Sequence, residues 1–549
     1  MSDTISLLYP PDFDFSKSVS MKDYGFIKPL QIDEMIVLAR DSYRGFTDLP
    51  LQDFFTTDTE VLEYRLAVVE DLVNEDVLYD TFCKAVQIIF NLSDIRKALS
   101  GNYTVDSALS SVRHLEMYIE IVELFANMFH KCNPKSKGMN LFRDTVLGIE
   151  EGADFQNLKR ELEKTEVEFG QIKSATIGIN FDYNLQPYSS GIVSVNTEPF
   201  YEGTLMDKLL RRRKSEYQVM SALFPVERGL HGEELRALNL SMGNALHSIF
   251  SRALKDFEPT IQKYYNSNTT LFIKLLDDIR FLTAGVKFIR EMQSKGFSMC
   301  RPKIAPVSEK RCELKNVYNP VLAGSQIENT IVANSFSYDE QGRFYLVTGP
   351  NHGGKSIFAY SIGMAQALFQ LGLFVPAEEA FMSPVTGIFT HFPSSDENNY
   401  GKGRLESECA RLSKIMKMLD DTDLLLMDES FSSTSGLEAS YIATEVLTGI
   451  GVIGCGGIYV THIHDLSQKL EVYNTYEGNK GKIDNLVAQM ENTETGARSY
   501  KITRTTPDGL SYARDIATRY GLDLTGILEN RENGSNNVNN VNNTVNGAG

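Results

Sequence analysis

The chain has 549 residues, is 42% apolar and carries a formal net charge of −18. That length holds several domains, three or four at roughly 150 residues each, with enough apolar residues for a sizeable core. The acidic balance gives no global attraction for nucleic acid, so any phosphate-backbone contact has to come from a local basic surface.

No run approaches the roughly 20 uninterrupted apolar residues of a membrane span. The start, Met1-Ser2-Asp3-Thr4, lacks the basic-then-apolar pattern of a secretory leader. Cys83, Cys132, Cys300, Cys312, Cys409 and Cys455 are scattered without a C-x-x-C pair, which fits reduced thiols better than a disulfide frame or a zinc site. A cytoplasmic location is expected.

Residues 1–50 form an N-terminal segment broken by Pro10, Pro11 and Pro29. From 51 to about 300 the pattern is mainly helical. Thr57 and Glu60 read as a capping box, and Leu62, Leu66, Val69 and Val73 follow at helical spacing. Further helices are expected over 78–99, 107–129 and 155–172. The period then changes to alternation over 175–182 and 191–196, with Gln186-Pro187-Tyr188 between. This predicts a hairpin or small sheet inserted at about 173–200. Helical patterning resumes near Thr204 and runs, with breaks, to about Ser298. Near its start, Arg211-Arg212-Arg213-Lys214 is the strongest basic cluster of the chain; it reads as a solvated helix face or as a phosphate-contacting patch. From Arg301 to about Gly521 strands alternate with helices, the order of a parallel sheet with crossover helices. The Asn-rich end, 533–549, cannot bury enough apolar surface to offset its ordering entropy and is expected to be disordered.

The third region holds the chemistry. Gly349-Pro350-Asn351-His352-Gly353-Gly354-Lys355-Ser356 is a G-x-x-x-x-G-K-S loop. It follows the apolar segment Phe344-Tyr345-Leu346-Val347 and precedes a helical pattern over 357–371. Strand, glycine-rich turn and helix start make an anion cradle, because backbone N–H groups and the helix N-terminus all face a phosphate chain. Lys355 would reach the β- and γ-phosphates, and the Ser356 hydroxyl would ligate Mg²⁺. A glycine turn with a chance lysine is the plainer reading; the strand–loop–helix context argues against it.

Leu424-Leu425-Leu426-Met427-Asp428-Glu429 reads as a buried strand ending in two carboxylates, with a helix expected over 405–419 ahead of it. In a phosphate-loop ATPase, Asp428 would hold Mg²⁺ and Glu429 would polarise the attacking water. Gly457-Ile458-Tyr459-Val460-Thr461-His462 delivers another polar group at a strand's carboxyl end, where α/β sheets bind ligands. His462 would sense the γ-phosphate or orient the water; a lone strand-end histidine is otherwise more often structural. His464 and Asp465 hint at metal ligation, but no third-ligand pattern accompanies them.

Five stretches then occur in the order seen in MutS-family mismatch-repair ATPases. They are 347–356 (V-T-G-P-N-H-G-G-K-S), 374–377 (F-V-P-A), 388–390 (I-F-T), 425–429 (L-L-M-D-E) and 461–466 (T-H-I-H-D-L). Ile331-Val332-Ala333-Asn334 resembles the family's segment bordering the adenine, and 508–513 resembles the segment closing the ATPase domain. The resemblance is strong over about 310–525. It is weaker over 54–72 and 92–96, which are similar to the start of the family's helical lever, while 173–200 is similar to a reduced DNA clamp.

The resemblance implies a multidomain chain: an N-terminal segment (1–50), an all-α lever and core region with a small β insertion (51–300), an α/β P-loop, ABC-type ATPase domain (301–530) and the tail (531–549). It also implies ATP and Mg²⁺, slow ATP hydrolysis, DNA as a partner recognised by structure rather than sequence, a homodimer joined through the ATPase domains, and nucleoid association when DNA-bound. There are departures. Too little sequence precedes the lever for the family's mismatch-reading domain. Gly403 stands where the signature loop offers a serine, although Ser407 is close, and Ser432 stands where relatives carry arginine, so hydrolysis is expected to be slow or differently tuned; the C-terminal dimerisation helices are short or missing. These departures, with the acidic charge, support an alternative: an ATP-set conformational scaffold for a protein partner, without mismatch recognition. A chromosome-structure ATPase is a third possibility, and the lack of sustained heptads argues against it.

Overall fold

The computed structural model describes residues 5–14, 20–37, 49–99, 105–170, 173–184, 187–202, 218–219, 269–325, 331–393, 403–492, 497–505, 518, 520 and 522–528. The first long helix, α1 (Thr59–Asn74), starts one residue later than the Thr57–Glu60 capping box implies. Asp58 makes its cap, with Oδ1 accepting the N–H groups of Glu60 at 2.8 Å and Val61 at 3.1 Å. A short carboxylate next to the first turn satisfies two of its orphan donors at once and sets the boundary.

Four helices follow: α2 (Asp76–Leu99), α3 (Val105–Phe129), α4 (Lys137–Glu151) and α5 (Ala153–Gly170). The antiparallel strands β1 (Ser174–Phe181) and β2 (Pro187–Asn196) come next, and α6 (Thr269–Ser294) resumes the helical region. Phe82, Phe125, Phe142 and Phe272 are fully buried. Edge-to-face and stacked contacts join them, with Phe125–Phe142 centroids 4.9 Å apart and Phe125–Phe272 6.0 Å apart. This aromatic cluster explains how helices distant in sequence cohere.

The chain forms two compact units, Met1–Leu7 with Glu75–Thr283 and Leu8–Asn74 with Ala284–Gly549. The second unit is built on β3 (Cys312–Val317), β4 (Asn334–Ser337), β5 (Phe344–Thr348), α7 (Lys355–Gln370), β6 (Glu379–Met382), β7 (Ile388–His391), α8 (Arg404–Met418), β8 (Leu424–Asp428), α9 (Gly436–Ile453), β9 (Gly456–Val460), α10 (His464–Gln468), β10 (Ile483–Asn492) and β11 (Ala497–Thr503). Its main sheet has the order β7-β8-β9-β5-β10-β11. Every pair is parallel except the edge pair β10–β11.

All positions of β5, β8 and β9 are buried, as expected of a parallel sheet covered on both faces. On one face α7 packs close: a Cβ on Gly363 would come within 2.5 Å of Leu426. On the other, Leu425, Met427 and Tyr459 share a core with Ala443, Leu447 and Ile450 of α9.

The expected strand–helix alternation does not hold throughout. β3, β4, β6 and the two-residue strand Lys303–Ile304 form a second, four-stranded sheet in which β3 runs antiparallel to both β4 and β6. Among the described residues, only the short helix Pro320–Ser325 lies between β3 and β4. The sixteen residues between the two strands are long enough for a parallel crossover, but the six-residue helix is shorter than the full one that usually makes it. No described helix is long and apolar enough to cross a membrane.

Candidate functional site

The site lies at the carboxyl ends of β5, β8 and β9, around the point where β5 leads away to the far strands and its neighbours return. Beyond Thr348 the chain turns through Gly349 at φ +123°, His352 at φ +60° and Gly354 at φ +84°. A Cβ on Gly349 would approach the Ala488 carbonyl oxygen to 2.9 Å, and one on Gly353 would do the same to Pro350. The loop is therefore tight enough to require glycine at both ends. α7 starts at Lys355 with no side-chain cap and no acidic residue in its first turn, among the described residues. Its N–H groups and dipole are left to an anion. The Lys355 ammonium donates to Gly349 O at 3.0 Å and Pro350 O at 2.9 Å. Burial draws its pKa below the usual lysine range, with Glu429 and Asp428 acting against that shift.

Asp428 ends β8, is buried, and has both carboxylate oxygens engaged. Ser356 Oγ donates to Oδ1 at 3.0 Å, and the Tyr360 hydroxyl donates to Oδ2 at 3.0 Å. Desolvation raises the Asp428 pKa, and those two hydrogen bonds oppose it.

The strand read through Glu429 stops one residue earlier. Glu429 adopts φ +47° and donates its N–H to Val460 O at 2.9 Å. This turn carries the carboxylate out of the sheet, where Glu429 Oε1 and His462 Nε2 sit 2.6 Å apart at half-exposed positions. Phe431 follows at φ +67°, its N–H donating to Glu408 Oε2 of α8 at 2.8 Å. Behind the turn, buried His391 lies 2.6 Å from Ser430 Oγ through Nδ1 and 3.2 Å from Glu408 O through Nε2. A carbonyl only accepts, so Nε2 carries the proton and Nδ1 accepts the serine hydroxyl. Burial holds this imidazole neutral by lowering its pKa to about 4, with Arg411 acting the same way.

The later part of the loop, Glu429 and His462 border a cavity of about 840 Å³. Asn351 to Phe358, Glu429 and His462 line one side; Val317, Asn319, Leu322, Ile331, Val332, Asn334 and Tyr500 line the other. The Asn334 amide fixes the second wall, donating to Tyr500 O at 3.0 Å and accepting from Ile502 N at 2.9 Å. One end can hold an anionic chain and offers oxygen donors of the kind a hard divalent cation prefers. The other end can hold an apolar, planar group.

Gly349 to Ser356, Asp428, Glu429 and His462 thus come together. His464 does not line the cavity; burial draws its pKa down, and His462 and Lys355 act the same way, while its neighbour Asp465 is paired with Lys469 at 2.6 Å and with the Ser440 hydroxyl. Among the described residues no group of three His, Cys, Asp or Glu side chains could hold a metal. Gly403 caps α8 with nothing within 4 Å of an added Cβ, so space does not exclude a serine there. Ser432 N–H closes the turn onto Glu429 O at 3.3 Å. The basic cluster at 211–214, residues 401 and 402, the 508–513 segment and the tail from 533 lie outside the described residues.

Sequence reasoning missed Tyr360, His391, Glu408 and Tyr500. Tyr360 had a signal: four residues after Ser356 on a helix, its hydroxyl shares that residue's face. His391 had a weaker one, a histidine closing an apolar strand. Tyr500 had none, because a distant pairing brings β11 to the cavity.

The family model for MutS domain V matches residues 345–522, a stretch containing the whole loop, Asp428, Glu429 and His462. A second model, the MutS2 N-terminal domain, matches 57–295, which contains α1 to α6 and the β1–β2 hairpin. A curated relative aligned along most of the chain is the DNA mismatch repair protein MutS of Petrotoga mobilis, 22% identical over 94% of this chain and 65% of its own length.

Domain models of the MutS and MutS2 proteins together match most of the chain.

Clostridium tetani MutS is 25% identical over 89% of this chain and 57% of its own length. The endonuclease MutS2 of Latilactobacillus sakei is 29% identical over 39% of this chain and 26% of its own length. The chain therefore spans less than two thirds of the MutS relatives aligned along most of it. Its helical part matches the MutS2 N-terminal domain, and its sheet-containing part matches the domain that MutS proteins number V.

Proposed function

We propose that this chain is a slow MutS-family ATPase that uses ATP as a conformational switch to act on DNA structure as a homodimeric clamp. In this reading 301–530 is a P-loop, ABC-type nucleotide domain, and 51–300 is the helical lever and core that it moves. The observation that carries the reading is the Ser356–Asp428 hydrogen bond at 3.0 Å, made across the floor of the phosphate loop by the two groups a P-loop ATPase uses for its metal.

The residues fit the substrate. The loop's N–H groups and Lys355 hold the phosphates, Ile331, Val332, Val317 and Leu322 receive the base, and Ser356 and Asp428 hold Mg²⁺ as hard oxygen donors. When bound, Mg²⁺ neutralises charge on the phosphate oxygens. Lys355 leaves the Gly349 and Pro350 carbonyls for the β- and γ-phosphates. Glu429, projected by its left-handed backbone, accepts the proton of the attacking water, and His462 orients that carboxylate through its 2.6 Å contact. Closure of two such sites on each other moves the arms, and hydrolysis releases them.

Titration of a fluorescent ATP analogue tests this assignment. Lys355→Ala is expected to abolish binding, while undiminished affinity contradicts it.

One observation favours a second reading, an ATP-set scaffold for a protein partner. The clamp-like hairpin, 174–196, contains no lysine or arginine, and its one charged residue is Asp182. Without cations a hairpin releases no counterions from DNA and is left with hydroxyl, amide and backbone N–H contacts to phosphate. If DNA is the load, its contacts lie elsewhere on the chain, with 211–214 as the first candidate.

A further inference from the structure

Tyr360 belongs neither to the phosphate loop nor to the cavity wall, yet it contacts the most buried acid of the site. It stands four residues after Ser356 on α7, so the two hydroxyls project from one helix face toward the end of β8. Ser356 Oγ takes Asp428 Oδ1 and Tyr360 Oη takes Oδ2, each at 3.0 Å. Both oxygens of one carboxylate are thus held by donors from a single rigid element. The ring is itself fixed, lying 4.4 Å from the Phe392 ring between centroids. Phe392 is anchored in turn, its carbonyl accepting from Arg411 Nη2 of α8 at 2.6 Å.

The two donors are not equivalent. In the reading above, which this inference rests on, Ser356 gives its hydroxyl oxygen to the divalent cation when nucleotide enters. A hydroxyl ligates a cation through a lone pair and keeps its proton for an acceptor, so Ser356 has to serve the cation and Asp428 Oδ1 together, while Tyr360 serves Asp428 alone. We propose that Tyr360 is the positioning residue for Asp428: it keeps the carboxylate aimed at the cation site as the cation binds and thereby sets how much Mg²⁺ the site requires. The oxygen it holds is not the one shared with Ser356, so Tyr360 leaves Oδ1 free to turn toward the cation.

The test is Tyr360→Phe, which deletes the hydroxyl and keeps the ring against Phe392. Affinity for a fluorescent ATP analogue is measured with EDTA and across a Mg²⁺ titration, for the parent and the variant. Loss of a group that orients a metal ligand costs about ten-fold or more in metal affinity, so the Mg²⁺ midpoint should rise by about ten-fold while affinity in EDTA stays within about two-fold. A variant midpoint equal to the parent's overturns the proposal and leaves the ATPase reading intact. Loss of nucleotide affinity in EDTA also overturns it, because Tyr360 would then be structural. A parent whose nucleotide affinity does not respond to Mg²⁺ overturns both the proposal and the reading beneath it. A second variant, Ser356→Ala, separates the two donors: it should remove the Mg²⁺ response outright, where Tyr360→Phe only displaces it.

Discussion

Each polar residue of the site reflects a local conflict that its neighbours resolve. His391 shows this most clearly. It lies under the turn that presents Glu429, neutral, with Nε2–H on the Glu408 carbonyl and Nδ1 on Ser430. Its folded pKa of about 4 lies below the unfolded value of 6.5. The unfolded chain therefore takes up a proton that the folded chain refuses, and stability falls as pH drops from about 6.5 toward 4. Between pH 7 and pH 5 this costs about 2 kcal/mol. Urea unfolding at the two pH values should show that loss in the parent, and His391→Gln should shrink it. An equal loss in both would place the acid sensitivity elsewhere. Glu429 shows another conflict: a non-glycine residue at φ +47° carries strain of order 1 kcal/mol or more and persists because the surroundings fix it. Here the Val460 carbonyl, His462 and the turn closed by Ser432 do so.

At the scale of elements, the loop between β5 and α7 depends on its backbone more than on its side chains. Gly349 combines φ +123° with a 2.9 Å approach of its absent Cβ to Ala488 O. Gly349→Ala should therefore cost more than the ~1 kcal/mol of a simple conformational penalty and should lower ATP-analogue affinity with it. A variant with parental thermal stability and affinity would show that the loop relaxes freely. These elements were legible in the sequence because each is local: 344–347 reads as an apolar strand, 357–371 as a helix and 424–429 as a buried strand, and the observed β5, α7 and β8 follow within two residues. One misreading has a local cause too. Asp58 outcompetes Thr57 as a cap because it stands one residue nearer the first turn. β3 and β4 pair antiparallel although sixteen residues separate them, and among the described residues between them the one helix is the short Pro320–Ser325. What pattern reading cannot reach is the far cavity wall, where Asn334 meets the Tyr500 carbonyl across 166 residues of sequence. That contact depends on which strands meet, and short-range periodicity carries no such information.

At the scale of the whole molecule, the chain joins a helical, aromatic-cored region to a sheet-based region that holds every group of the candidate site. The net charge of −18 makes DNA an unfavourable partner except at a local basic surface. If DNA is the load, affinity should fall steeply with salt, and replacing Arg211, Arg212, Arg213 and Lys214 with alanine should flatten the log–log slope by up to about 4. An unchanged slope would move the contacts off that cluster, and absence of binding to linear, mismatched and branched DNA alike would favour a protein partner. The central claim of the proposed function is that Glu429, beside Asp428 and His462, drives ATP hydrolysis. The most direct measurement is steady-state ATP turnover at saturating Mg²⁺ and ATP for the parent and Glu429→Gln. Loss of the general base should lower the rate by about a hundred-fold or more; turnover equal to the parent's would contradict the account.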